Sequence, residues 1–140
     1  MKRLVVRTFI LTALFACNNS NNTAGASESD VDAARNFIQA ALDNDFEKAK
    51  GYMVNDSTNV QYLGIIKQKR AGLEKGVNQK YKDASIRIYD TRKVNDSVSI
   101  VTYSNSYMNQ KDSVKAVKEN KSWLIDFKYS FMHSDTSHVQ

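Results

Sequence analysis

The hydrophobic repeat of this chain changes once. Before Ser85 the apolar residues recur at three- and four-residue steps, and after it they recur at every second residue. The first spacing lays a stripe along a helix and the second covers one face of a strand, so helices precede strands. That order reads as α+β, with N-terminal helices packed on one face of a four-stranded antiparallel sheet.

In the helical half, Val31, Ala34, Ile38, Ala41 and Leu42 share one face, which Phe37 widens. Ser29 or Asp30 is placed to cap that helix and Asn44-Asp45 to end it. Phe46, Ala49 and Met53 predict a second, short helix, so that the first two form a hairpin. Asp56-Ser57 then caps a third helical segment from about Thr58 to Tyr81. Gly64, Gly72 and Gly76 interrupt it, each disfavoured in a helix by about 1 kcal/mol relative to alanine, which predicts a break or kink.

In the second half, Ile86 and Ile88 alternate with Arg87 and Tyr89, and Asn95-Asp96 turns the chain. A strand over Ser97–Met108 carries apolar residues on both faces, as expected when both are covered. After a turn at Asn109–Asp112 come a short strand, Ser113–Lys118, and a tight turn at Glu119-Asn120-Lys121. Trp123, Ile125, Phe127, Tyr129 and Phe131 then alternate strictly, predicting a long last strand.

The N-terminus carries a different kind of signal. Lys2, Arg3 and Arg7 precede an apolar run from Thr8 to Ala16, the order of a secretory signal peptide over residues 1–16. The alternative, an uncleaved membrane helix, needs about 20 apolar residues, and this run is shorter. Leu14-Phe15-Ala16-Cys17 resembles the bacterial lipoprotein box. That resemblance implies cleavage after Ala16 and lipidation of Cys17, whose acylated N-terminus would then hold the chain on a lipid bilayer. The expected location is the cell envelope, facing the periplasm, with surface exposure left open.

Residues 1–16 hold three of the 20 Lys and Arg and none of the 15 Asp and Glu, so their removal lowers the formal charge from +5 to +2. A weakly basic protein outside the cytoplasm is not expected to meet nucleic acid. Cys17 is the only cysteine, which excludes an internal disulfide. Residues 18–29 contain no aromatic or branched aliphatic residue and read, with Cys17, as a flexible tether. Twelve such residues reach roughly 20 Å. The domain proper is expected over residues 30–132, followed by a polar tail at 133–140.

Within that domain, Ala33 to Ala49 contains Asp43-Asn44-Asp45-Phe46-Glu47-Lys48-Ala49, and Lys118 to Ile125 contains a charged turn followed by Trp123-Leu124-Ile125. Both phrases, with the order of elements, resemble the nuclear transport factor 2-like (cystatin-like) superfamily, and within it small bacterial lipoproteins grouped as domain of unknown function 4878. The resemblance implies a curved sheet wrapped round a helical hairpin, sometimes enclosing a pocket. It brings no known activity.

The candidate side chains at such a pocket are Tyr103, Tyr107, Trp123, Phe127 and Tyr129, with Trp123 read first as a core anchor that covers the helical hairpin. If they line a closed cavity, the domain is a non-catalytic module for a small apolar ligand. If they form an open patch, it is an interaction subunit of an envelope complex. A pocket enzyme of the isomerase or dehydratase type is the lesser alternative, because no Asp–His or Asp–Tyr pair can be placed in one cavity from sequence. Asp126 is expected to be solvated, on the face opposite Trp123 and Phe127, and no catalytic residue or cofactor is assigned. His133, His138 and Asp135 could ligate zinc, but they lie in the polar tail, and no metal is assigned. Lys67, Lys69, Arg70, Lys75, Lys80 and Lys82 outnumber Glu74 and Asp83, as expected for a solvated helix face. Ser57, Ser97 and Ser113 each follow an aspartate, which resembles an O-glycosylation acceptor of exported proteins in some bacteria, although Asp-Ser also starts helices and strands.

Overall fold

The computed structural model describes residues 25–133. Five helices and four strands follow in order: α1 (Asp30–Leu42), α2 (Phe46–Gly51), α3 (Ser57–Ala71), α4 (Lys75–Lys82), β1 (Ile86–Asn95), β2 (Val98–Asn105), β3 (Asp112–Glu119), β4 (Ser122–Asp126) and α5 (Lys128–His133). The strands form one antiparallel sheet in the order β1-β2-β3-β4. The sheet is curved and open, an α+β arrangement consistent with a nuclear transport factor 2-like fold.

Helix starts follow the expected capping chemistry. The Ser29 hydroxyl accepts the Asp32 N–H at 3.1 Å, and the Asp56 carboxylate accepts the Asn59 N–H at 2.8 Å. The third helical segment breaks after Ala71, where Gly72 caps α3 and Glu74 precedes α4. Gly25 has φ +110° and lies against Gly51, so the last residues of the expected tether join the fold. Ser27 is buried, and its carbonyl accepts the Trp123 N–H at 3.0 Å.

The core lies between the helices and one face of the sheet. Ala33, Ala34, Phe37 and Ile38 of α1 and Phe46 and Ala49 of α2 pack with Val101, Val114, Ala116, Trp123 and Ile125. Register explains the selection, since Val101 pairs with Val114 and Ala116 with Ile125, placing these side chains on the same face. Ile100, on the other face of β2, is buried as well. The edge of β4 is covered by Tyr52 to Val54: Ile125 donates to the Tyr52 carbonyl and accepts from Val54, both at 2.9 Å. The opposite edge, β1, carries register irregularities at Ile88/Asp90 and Lys93/Asn95 and the charges of Arg87, Arg92 and Lys93, features that discourage edge pairing.

Two sequence expectations for the strands are corrected. β2 ends at Asn105, so the chain turns at Ser106–Met108, before the expected turn. The last strand ends at Asp126, and Lys128–His133 is helical. Asn59 decides this, because its Oδ1 takes the Lys128 N–H at 2.7 Å, and the Ser130 hydroxyl then donates to the Ser113 carbonyl at 2.8 Å. The helical turn puts Phe127 and Phe131 four residues apart on one side, with ring centroids 5.2 Å apart.

Candidate functional site

Two neighbouring cavities open between the sheet and the helices. The first, of about 400 Å³, has mostly apolar walls: Phe37, Ile38, Ala41 and Leu42 of α1, Leu63 and Ile66 of α3, and Phe127. The second, of about 460 Å³, is more polar and lies among the β2–β3 loop, Ser113, Tyr129 and His133. Tyr103, Asn105 and Asp112 belong to both and stand between them.

The five aromatic residues expected at one site are divided. Tyr103 lines both cavities, Phe127 the apolar one and Tyr129 the polar one. Trp123 lines neither cavity and is the expected core anchor, 8% exposed and packed with the helical hairpin. Tyr107 lies outside both linings, edge-on to Tyr81 at 4.8 Å.

The sequence also placed no acid beside a tyrosine or histidine in a cavity, and here the structure differs. Tyr103 pairs with Asp112 across β2 and β3, and its hydroxyl donates to Asp112 Oδ2 at 3.4 Å. Asp112 as a residue is exposed, yet desolvation raises its carboxyl above the usual aspartate value, against the opposing bonds from the Ser113 N–H and Tyr103. Desolvation, with the neighbouring Asp112 charge, likewise raises Tyr103, which stays a neutral phenol.

Arg70 departs furthest from expectation. It does not belong to a solvated basic face: it is 6% exposed and lines the apolar cavity. Its Nη1 donates to the Ala41 carbonyl at 3.2 Å, Nη2 to the Leu42 carbonyl at 3.1 Å and Nε to Asn78 Oδ1 at 2.8 Å. These bonds cap the C-terminus of α1, where a cation meets the negative end of the helix dipole. The guanidinium also stacks 4.1 Å above the Tyr81 ring. Desolvation lowers its pKa, but an arginine remains charged. Lys67, by contrast, is exposed and paired with Glu47 at 3.1 Å.

A charged cluster anchors the Phe127 side of the cavity. Asp126 is not solvated as expected: it is 5% exposed, bonded to Lys115 Nζ at 2.7 Å, to Lys128 Nζ at 3.1 Å and to Asn59 Nδ2 at 3.2 Å. Asp56 completes the cluster through Lys128 Nζ at 2.7 Å. Desolvation pushes Asp126 up, but the lysines and Asn59 together prevail and hold it below the ordinary aspartate value. The Lys128 bond lowers Asp56 most, and Asp56, then Asp126, raises Lys128.

The other expected positions lie apart. His133 closes α5, with Nδ1 2.9 Å from the Tyr129 carbonyl and its ring stacked on Tyr129 at 3.9 Å, so it is ordered where a loose tail was expected. Asp135 and His138 lie outside the described residues, as do Ala16 and Cys17. Among the described residues no group of His, Cys, Asp and Glu could hold a metal ion, and no helix is long and apolar enough to cross a membrane. Ser57 and Ser97 are exposed, whereas Ser113 is half-buried within β3 and bonded to Thr102 Oγ1 at 3.2 Å. No protein-family model, curated protein or solved structure matches the chain.

Proposed function

We propose that this chain is a lipoprotein of the cell envelope, anchored through acylated Cys17 and facing the periplasm, whose domain binds a small apolar ligand without transforming it. The anchor rests on the sequence of residues 1–17. One observation carries the binding reading: a cavity of about 400 Å³ between helices and sheet with largely apolar walls and a few convergent polar groups, Arg70, Tyr103 and Asp112. Ligand sites run from about 300 to 1,000 Å³ and have this composition. Phe37 and Phe127, with ring centroids 4.9 Å apart, supply rigid apolar surface on one wall.

Native mass spectrometry of the protein purified from its own membranes tests this reading. A retained small molecule is expected, and Ala41→Phe, which fills the wall, should abolish its retention. A co-purifying chain with no retained small molecule would favour the interaction-subunit alternative. The Tyr103–Asp112 pair favours a second reading, a pocket enzyme in which Asp112 moves a proton. The binding reading is preferred because, among the described residues, the apolar cavity brings no histidine and no second carboxylate to Asp112, while His133 lines only the polar cavity.

A further inference from the structure

Arg70 bears on the chemistry of the occupant. Buried arginines are ordinarily paired with an acid. Arg70 is buried, yet all three of its acceptors are uncharged, and none of the ion pairs among the described residues includes it. The carbonyl end of α1 supplies only about half an elementary charge against it. Two of the five N–H groups of a guanidinium are left over after the three bonds it makes. Lys69 adds a second cation to the same wall. Asp112, the one acid among the described wall residues, is bonded to Tyr103 and Ser113 instead.

We propose that the missing counter-ion belongs to the ligand: the cavity takes a single-chain hydrocarbon ending in a carboxylate, with the carboxylate on Arg70 and the chain against Phe37, Leu63, Ile66 and Phe127. One N–H remains on each of Nη1 and Nη2, and a carboxylate oxygen accepts a strong, charge-assisted bond from such a group. The inference rests on the reading of the cavity as a ligand site, and it adds the sign of the charge the ligand carries.

Calorimetric titration of the full chain with decanoate and with decanol, equal in chain length and different in charge, tests it. Decanoate is expected to bind about tenfold or more tightly than decanol, since bonds to a charged group discriminate by at least that factor. Arg70→Met should erase the preference by lowering decanoate affinity about tenfold or more, to the level of decanol. Equal affinity of the unmodified protein for both probes would overturn the inference and leave a cavity that binds neutral apolar molecules, with Arg70 only a cap for α1. Binding of neither probe would remove both readings. The comparison of probes on the unmodified protein decides the matter even if Arg70→Met does not fold.

Discussion

Replacing Asp126 by asparagine keeps the shape of the side chain and removes the charge that two lysines and Asn59 surround. Removing one member of a fully buried ion pair destabilises by about 3–5 kcal/mol. Lys115 and Lys128 are 30% and 34% exposed, so water takes up part of their charge once the acid is gone. The remaining loss, dominated by hydrogen bonds to a charged acceptor, is about 2–3 kcal/mol. For a domain of this size that corresponds to a fall in Tm of about 10–20 °C. Urea unfolding followed by fluorescence measures it directly, because Trp123 is the only tryptophan and is buried. The charge also fixes the pH dependence. Asp126 has a folded pKa below its unfolded value, so its contribution is complete above about pH 4 and is lost as the pH falls through the folded value. The gap between the parent protein and Asp126→Asn should therefore be full at neutral pH and close progressively under acid. A fall in Tm of less than about 3 °C at neutral pH, or a gap unchanged in acid, would refute the claim that this cluster is a charge-dependent clamp.

Two further substitutions probe the helical half. Gly64 is exposed in the middle of α3, and a Cβ added there meets nothing within 4 Å, so Gly64→Ala should stabilise by about 1 kcal/mol in the same urea assay. Gly25 has φ +110°, and an added Cβ would stand 2.6 Å from the Gly51 carbonyl oxygen. Gly25→Ala should therefore loosen the segment up to Ser27 and speed hydrogen exchange of the Trp123 amide, which donates to the Ser27 carbonyl.

The helices and hairpins were legible because their signals are local. Ser29 and Asp56 cap within three residues of themselves, and the Glu119–Lys121 turn is marked by Asn120 and Lys121, both at positive φ. Features decided across the chain were not. The alternation from Trp123 to Phe131 is genuine, yet Phe127 and Phe131 also fit a helical step, and Asn59, 69 residues before Lys128, selects the helix. Asp126 reads as an ordinary polar residue of a half-exposed strand until Asn59 and the two lysines are brought to it. Arg70 did leave a trace. Asn59, Leu63, Ile66 and Arg70 follow steps of four, three and four, so the arginine falls on the inward stripe of α3. A cation in phase with apolar residues is a better signal than the number of lysines around it. The pairing of Tyr103 with Asp112 required the β2–β3 register, which the misplaced turn at Asn109–Asp112 obscured.

On the proposal made above, the space between α1, α3 and the sheet is a ligand-binding site. Methyl-resolved NMR during a decanoate titration tests it most directly. Saturable shifts are predicted for the methyls of Ile38, Leu42, Leu63, Ile66 and Leu73, all in the cavity wall, with little change at the exposed Val60 and Val94. Silent wall methyls, or shifts spread equally over the exposed valines, would contradict the account.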